Sequence, residues 1–306
     1  MELLIPVLLL LIFSTPVLLA VYIKISRKFH KLLRIDRNKV EKRGVPTAGG
    51  FFLLPVISCA PALLLGNFGI SLALGVIVAG FIGLVDDLKG TGIWIKVPLM
   101  MVPSLPLIVF WAMGSYQVEV PWILAWVPFW LLLPLLTSFF SNGFNIISGY
   151  DGLSTGIGAI QIGTLGVLAL LANDLVLASL ALVCLLPVTT LLLFNWYPSK
   201  VFPGNSGTFI IGTVGPLLFI YGGFWLPLII LFLPHICEFL LKVRFRGKTE
   251  VFGEVDHAGS ITYKGKPKSV VHLLLRRGRW MEVEVTEAFL SLEVMLALIA
   301  VALVLF

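Results

Sequence analysis

Long apolar runs alternate with short polar connections along the whole chain. A helix that crosses a bilayer needs about 20 predominantly apolar residues, and a hydropathy scan on that basis predicts ten spans. The pattern therefore predicts an all-α, polytopic integral membrane protein that forms one membrane-embedded domain over residues 1–306. The predicted spans are residues 2–23, 48–66, 69–85, 95–113, 121–140, 157–172, 174–194, 208–221, 223–242 and 286–306.

The distribution of basic residues predicts how these spans are oriented. Successive odd-numbered connections, or their edges, hold nine, two, none, one and ten of the 22 Lys and Arg residues, and the even-numbered connections hold none. Because cytoplasmic loops carry the excess of Lys and Arg, the odd-numbered connections are predicted to be cytoplasmic and both termini extracytoplasmic. Residues 250–271 are predicted to form a short hairpin between spans nine and ten. The predicted cytoplasmic loops are residues 24–47, 86–96, 141–156, 195–207 and 243–285.

Composition agrees with a membrane protein and excludes a soluble one. Apolar residues make up 58% of the 306 positions, charged residues only 12%, and mean hydropathy is +1.03. Soluble domains contain about 45–50% apolar and about 25% charged residues. The net charge of +6 is explained by the cytoplasmic loops, so we expect no nucleic acid partner.

The third connection contains an acidic pair, Asp86 and Asp87, followed by Lys96. Adjacent carboxylates repel each other unless a cation or a basic group offsets their charge. They are therefore candidate ligands or positioning groups in a magnesium site, since Mg²⁺ prefers oxygen ligands and substrate phosphates. The alternative is that they hydrate the end of a span or cap the next helix.

The fifth connection is rich in Asn and Gly and has no basic residue. Asn142 and Asn145 are three apart and would share a helix face, although they stand among apolar residues. Polar groups held at a membrane boundary usually have a function. The alternative is a connector rich in turn residues, which also include Gly149 and Asp151.

Two further connections contain candidate anion-binding groups. The sequence Pro-Gly-Asn-Ser-Gly-Thr at 203–208 opens a predicted helix, where backbone N–H groups attract anions; an ordinary capped helix start explains it equally well. In the ninth connection, Arg244 and Arg246 suit phosphate oxygens. A second cluster, Arg276, Arg277 and Arg279, is also explained by contacts with lipid headgroups.

All these polar groups fall on one predicted membrane face, and the centres of the spans are almost free of them. This arrangement favours an enzyme that handles phosphates with a metal ion at the cytoplasmic face. A transporter of an anionic solute is the alternative from another class, but it would place polar groups near the midplane on broken helices.

The same segments resemble the polyprenyl-phosphate N-acetylhexosamine-1-phosphate transferases. The sequence is more similar to the archaeal and eukaryotic UDP-N-acetylglucosamine–dolichyl-phosphate branch than to the bacterial phospho-MurNAc-pentapeptide transferases. The resemblance spans about residues 40–246, and the family's ten-span layout agrees with the predicted count. The matching segments are VPTAGG at 45–50, FIGLVDD at 81–87, WIK at 94–96, NGFNIISGYDGL at 142–153 and NWYPSKVF at 195–202.

This resemblance implies transfer of N-acetylglucosamine 1-phosphate from UDP-N-acetylglucosamine to dolichyl phosphate, with release of UMP. It implies Mg²⁺ as cofactor, with Mn²⁺ as the alternative, and membrane lipid around the site. Another UDP-sugar or undecaprenyl phosphate would undergo the same chemistry. The implied residue roles are catalytic for Asp86, Asp87 and Lys96, metal-binding for Asn145 and Asn205, and substrate-binding for Asn142, Gly149, Asp151, Arg244 and Arg246.

Two positions depart from the family pattern. Asn205 stands where the family has the Asp of its metal motif, and Asp151 stands where the dolichol branch has Asn. Because an Asn carbonyl binds Mg²⁺ more weakly than a carboxylate does, the hypothesis is that the charge of Asp151 compensates. The resemblance is also compatible with a homodimer. It predicts a plasma-membrane location for an archaeal protein, and the endoplasmic reticulum for a eukaryotic one.

Overall fold

A computed structural model describes residues 4–245 and 250–305, and most of them are helical. The helices are α1 (Leu4–Ser26), α2 (Leu53–Leu64), α3 (Gly66–Lys89), α4 (Ile93–Leu99), α5 (Leu105–Ala112), α6 (Phe129–Ile147), α7 (Leu153–Leu171), α8 (Leu175–Asn195), α9 (Gly204–Tyr221), α10 (Trp225–Leu231), α11 (Leu233–Arg244), α12 (Val270–Leu275) and α13 (Glu282–Leu305). Four short strands form two antiparallel hairpins: β1 (Leu33–Ile35) with β2 (Gly44–Pro46), and β3 (Glu254–Val255) with β4 (Ile261–Thr262). The predicted hairpin at 250–271 is thus confirmed.

Each of the ten predicted spans contains helix. In the described part of the chain, seven helical segments are long and apolar enough to cross a membrane, and the bent pair α10–α11 makes an eighth. The remaining two candidates are the apolar segment Gly49–Leu64, which is shorter than a span, and α9. The multi-span architecture is therefore confirmed, whereas ten crossings and extracytoplasmic termini stay predictions.

Several helix boundaries differ from the predicted ones because polar residues continue the helices. The segment predicted at 121–140 begins as non-helical chain, and α6 runs instead over Phe129–Ile147, so that Asn142 and Asn145 lie on a helix. Similarly, α3 continues through Asp86 and Asp87 to Lys89, and α9 begins at Gly204. The predicted loop at 141–156 shrinks to residues 148–152. Neighbouring helices bind the side chains of Asp86, Asp87 and Asn145, and Ser138 of the same helix binds Asn142, so polarity does not end the helix.

Helix α9 occupies the centre of the structure, between α3 and α6, and most of its side chains are buried. Close backbone approach fixes its beginning against the end of α3. A Cβ atom on Gly83 would lie 2.4 Å from the Cα of Ser206, so only glycine permits this contact. The first turn of α9 is consequently held beside the acidic pair.

The segment between α11 and α13 packs back onto the helices. Buried Glu238 on α11 accepts hydrogen bonds from the Ser269 hydroxyl and the Val270 backbone N–H, both at 2.8 Å. These bonds fix the beginning of α12, where backbone N–H groups lack helical partners. The segment that carries the β3–β4 hairpin also contacts the turn after α6, where the Tyr150 hydroxyl donates to the Val251 carbonyl at 3.1 Å.

Candidate active site

The acidic pair at the end of α3 points in two directions. Asp86 forms an ion pair with Lys96 on α4, with 2.6 Å between Oδ2 and Nζ, and accepts two hydrogen bonds from Thr91. Asp87 accepts hydrogen bonds from the backbone N–H groups of Asn205 and Ser206 at 2.7 and 3.0 Å. Two neighbouring carboxylates therefore join α3 to two different helices.

Asp87 acts as a capping anion for α9. Its carboxylate satisfies N–H groups that have no partner within the helix, and it complements the positive end of the helix dipole. Gly204 allows this approach, because its φ is +69° and a Cβ there would lie 2.5 Å from Asp87 Oδ2. The Gly-rich turn thus presents its amides to a carboxylate of the same chain.

Asn145 and Asn205, the two predicted metal ligands, are in contact. The Asn145 amide donates hydrogen bonds to the Asn205 side-chain oxygen and, at 3.2 Å, to the Thr208 hydroxyl. Asn142 is one turn away on α6 and donates to the Ser138 backbone carbonyl at 2.9 Å. The structure brings the first two together and directs Asn142 elsewhere.

Asp151 belongs to a buried ionic cluster centred on Lys39. The Lys39 ammonium lies 2.8 Å from Asp151 Oδ2 and 3.3 Å from Asp36 Oδ2, and it also contacts the Glu282 carboxylate. Asp151 Oδ2 additionally accepts from the Ser199 backbone N–H at 2.9 Å. The Asp151 charge is therefore directed to Lys39 and Ser199 rather than to Asn205.

The cluster shifts the ionisation of its members. Burial, together with the charge of Glu282, raises the pKa of Asp151 to about 6, although Lys39 and Ser199 oppose this rise. Burial lowers the pKa of Lys39, but its bonds to Asp151 and Glu282 more than offset this and leave that pKa raised. One ammonium thus holds three carboxylates, and each of them also accepts a hydrogen bond from a backbone N–H group.

The same cluster fixes the backbone around Gly149 and Asp151. The Asn38 amide donates to the Gly149 carbonyl at 2.7 Å. Glu282 accepts from the Asp151 backbone N–H at 2.9 Å, and Thr286 donates to the Asp151 carbonyl at 2.8 Å. The connection between α1 and α2 and the beginning of α13 therefore both hold this turn.

A polar pocket of about 260 Å³ opens beside these groups. It lies between the β1–β2 hairpin, the turn after α6 and the beginning of α9. Its lining includes Arg34, Asp36, Arg37, Thr47, Asp87, Ser148, Gly149, Asp151, Asn195, Phe202, Asn205, Thr208, Phe252 and Glu282.

A second cavity, an apolar groove of about 580 Å³, lies beside the last turns of α6. It is formed by α4, α6 and α11, and three polar side chains, Ser138, Asn142 and Lys242, stand among its walls. Its lining is Trp94, Val97, Pro98, Met101, Leu135, Ser138, Phe139, Asn142, Gly143, Ile146, Phe239, Lys242 and Val243. Asn145 lies between Asn142 and Ser148 in sequence, and its side chain contacts Asn205 and Thr208, which line the polar pocket.

The remaining predicted residues are placed as follows. Lys96 lies on α4, which borders the groove, and forms an ion pair with Asp86. Arg244 is the last residue of α11 and does not line the polar pocket. Arg246 lies outside the described residues. The predicted roles of all these residues stay predictions.

Sequence reasoning missed four site residues: Asp36, Asn38, Lys39 and Glu282. The first three lie in the connection between α1 and α2, whose basic residues indicate only orientation, and Glu282 is 131 positions from Asp151. An acidic and a basic residue three apart, Asp36 and Lys39, were the available signal. Nothing in the local sequence indicates that the Asp151 turn completes their cluster.

Comparison with known proteins identifies relatives over most of the chain. The family model described as glycosyl transferase family 4 matches residues 69–223. A protein of Sulfolobus acidocaldarius named as a UDP-N-acetylglucosamine–dolichyl-phosphate N-acetylglucosaminephosphotransferase is 32% identical, over 87% of this chain and 86% of its own. A protein of the same name from Saccharolobus solfataricus is 30% identical, over 88% and 87%. A phospho-N-acetylmuramoyl-pentapeptide-transferase of Halalkalibacterium halodurans is 29% identical, over 65% and 68%. The resemblance inferred from the motifs is confirmed.

Proposed function

Because the chain belongs to glycosyl transferase family 4, we propose that it transfers N-acetylglucosamine 1-phosphate from UDP-N-acetylglucosamine to dolichyl phosphate. The products are UMP and a lipid-pyrophosphate-sugar. The archaeal relatives that carry this activity in their names align with nearly nine-tenths of the chain.

One observation carries the proposal: the end of α6 lines the apolar groove through Asn142 and Ile146 and is followed directly by Ser148 of the polar pocket, so that Asn145 stands at the junction between the two. The groove, with its apolar walls, suits a polyprenyl chain, and Asn142 and Lys242 would lie near its phosphate. The polar pocket suits a nucleotide, since carboxylates, amides and arginines surround it. An acceptor phosphate and a donor diphosphate would then meet beside Asn145.

The proposed reaction requires little covalent chemistry from the protein. An oxygen of the lipid phosphate forms a bond to the phosphorus that bears the sugar, while the bond from that phosphorus to the bridging oxygen breaks. UMP departs with the bridging oxygen. The second pKa of a phosphomonoester is about 6, so the acceptor is largely ionised at neutral pH and needs no general base. Alignment and charge neutralisation are the main requirements.

The residues at this junction fit Mg²⁺ as cofactor. Within residues 4–245 and 250–305, no three acidic, His or Cys side chains form a metal cluster. However, the Asn145 and Asn205 amides, the Thr208 hydroxyl and the Asp87 carboxylate provide neighbouring oxygen atoms, and Mg²⁺ commonly combines few protein ligands with substrate phosphates. When bound, the ion would neutralise charge on the diphosphate.

This chain's own groups have positioning roles in the proposal. Asp87 holds the first turn of α9, and with it Asn205 and Thr208, against the end of α3. Asp86 and Lys96 hold α4 at the edge of the groove. The Lys39 cluster orients the turn that carries Gly149 and Asp151. We place this site at the cytoplasmic face of the plasma membrane, as the basic loops and the archaeal relatives suggest.

The test is UMP release by the purified full-length protein in detergent with Mg²⁺, UDP-N-acetylglucosamine and dolichyl phosphate. The expected result is equal amounts of UMP and lipid-linked sugar phosphate. Release only with another UDP-sugar, or only with undecaprenyl phosphate, would replace the substrate and keep the chemistry. Absence of UMP with every UDP-sugar and both lipids would contradict the proposal.

A further inference from the structure

The charged side chains around the polar pocket differ in how far other groups of the protein already bind them. Asp87 is occupied by the beginning of α9, and Asp36, Asp151 and Glu282 share Lys39. Among the described residues that line this pocket, the cationic side chains are Arg34 and Arg37, and both residues are exposed. A diphosphate entering the pocket would therefore meet carboxylates that other groups already bind and two accessible guanidinium groups.

Arg34 has the better position of the two. It lies on β1, and its Nη2 donates a hydrogen bond to the Asp87 backbone carbonyl at 2.5 Å. Since the Asp87 carboxylate binds the amides of Asn205 and Ser206, the Arg34 guanidinium lies at the same corner as the first turn of α9. Its Nη1 makes only long contacts, of 3.4 Å, with the Lys31 and Leu33 carbonyls. A guanidinium has five N–H donors, so most remain for an anion.

Arg37 is more strongly occupied. Its Nη2 lies 2.8 Å from Glu250 Oε2, and its guanidinium carbon stands 4.4 Å from the centre of the Phe252 ring. The structure thus gives Arg37 a resting position at the rim of the pocket. Arg34, by contrast, keeps N–H donors free next to Asn205.

We infer that Arg34 binds the diphosphate of the nucleotide substrate. Arginine matches phosphate oxygens with two parallel hydrogen bonds, and the β1–β2 hairpin holds it in place. Leu33 pairs with Pro46 and Ile35 with Gly44, and Tyr22 donates to the Thr47 carbonyl at 2.6 Å. The first cytoplasmic loop is then a substrate-binding element, in addition to its part in orientation. This inference rests on the proposed function, because it takes the ligand to be a nucleoside diphosphate derivative.

The test compares UDP with uridine, which has the same base and ribose but no phosphate. In Arg34→Gln, the amide keeps a donor for the Asp87 carbonyl but loses the charge. Calorimetric titration of the full-length protein with UDP and Mg²⁺ should show about a tenfold weaker affinity, the equivalent of about 1.4 kcal/mol. Uridine affinity, measured by displacement of UDP, should change less than twofold.

The matched control is Lys31→Gln, which removes the same charge from an exposed residue one turn earlier in the same loop. It should leave UDP affinity within twofold of the wild type, since exposed charges are screened by salt. Arg34→Lys should fall between the wild type and Arg34→Gln.

Three results would overturn the inference. Equal UDP affinity of Arg34→Gln and the wild type would show that the guanidinium does not touch phosphate. An equal loss for UDP and uridine would indicate a structural role only. An equal loss in Lys31→Gln would indicate a general effect of charge. Failure of the wild type to bind UDP would instead contradict the proposed function itself, and the inference with it.

Discussion

The apolar groove and the polar pocket share no lining residue, and they are built differently. The groove is lined by side chains of α4, α6 and α11, whereas the pocket is lined largely by loops, turns and helix ends. Asp86 and Asp87 are adjacent in sequence, yet Asp86 anchors a helix of the groove and Asp87 anchors a helix of the pocket. The acidic pair, which resembles a single site in the sequence, therefore holds one helix of the groove and one helix of the pocket in place.

The largest expected effect comes from the residue at the junction. Asn145→Ala removes the side chain that contacts Asn205 and Thr208, and should lower UMP release by about 100-fold or more, as losses of preorganised polar groups do. Asn142→Ala is the comparison, because Asn142 lines only the groove. It should raise KM for the lipid phosphate and leave UDP affinity unchanged. An unchanged kcat in Asn145→Ala would contradict the proposal that the two substrates react beside Asn145.

A second prediction tests the ionic cluster beneath the pocket. Lys39→Met leaves Asp36, Asp151 and Glu282 buried without their cation, and breaking a buried ion pair costs about 3–5 kcal/mol. Thermal unfolding in detergent should therefore occur at a much lower temperature. Lys42→Met, on an exposed residue of the same loop, is the control and should unfold like the wild type. Equal midpoints for the two variants would disprove the structural weight given to Lys39.

A third prediction fills the groove without touching the pocket. Val97 lines the groove and is 40% exposed, so Val97→Trp should obstruct an acyl or prenyl chain. Losing the burial of a few methylenes, at about 0.8 kcal/mol each, should raise KM for dolichyl phosphate about tenfold. UDP affinity should not change. Leu193→Trp, at a position 70% exposed and outside the groove, should behave like the wild type. A similar rise in its KM for dolichyl phosphate would contradict lipid binding in the groove.

The fourth prediction concerns the pH dependence of stability. The native pKa of Asp151 is about 6, above the value of about 3.9 expected in the unfolded chain. Its stabilising contribution is therefore fully present below pH 4 and is lost as pH rises through 6. Asp151→Asn should remove this dependence, so the difference in unfolding free energy between variant and wild type should change by about 1 kcal/mol from pH 5 to 7.5. A constant difference across this range would contradict the raised pKa.

The smallest expected effect is the coupling between Asp151 and Asn205. Asn205→Asp should strengthen the apparent Mg²⁺ affinity in the transferase assay, because a carboxylate binds the ion more tightly than an amide. Since the Asp151 carboxylate faces Lys39 and Ser199, Asp151→Asn combined with Asn205→Asp should give additive effects within about 0.5 kcal/mol. A clear departure from additivity would support compensation between the two positions.

The membrane architecture could be predicted from sequence because a bilayer requires long apolar segments, and each predicted span indeed contains helix. The predicted end of α6 is wrong by several residues, because the polarity of Asn142 and Asn145 predicts a loop where the structure has a helix. A polar side chain ends a membrane helix only where no neighbour binds it, and here Ser138, Asn205 and Thr208 do so. The local sequence shows the polar residue but not the neighbour that binds it.

The candidate site shows the same division. Motif segments indicated Asp87, Asn145 and Asn205, and these meet at the first turn of α9. The part of the site contributed by the first loop was not predicted, because Lys39 and Glu282 acquire their roles only through a contact across 243 positions. The groove was also missed, since its apolar walls are indistinguishable in sequence from residues that face lipid.

The proposed lipid site, the apolar groove, and the proposed nucleotide site, the polar pocket, are separate cavities near the end of α6. Labelling with a polyprenyl phosphate that carries a photoreactive group in its chain tests this most directly, followed by mapping of the modified peptides. We expect labels in residues 94–101 and 239–243, and we expect excess UDP to leave their amount unchanged. Labels in residues 148–154 or 202–208 that UDP displaces would contradict this expectation.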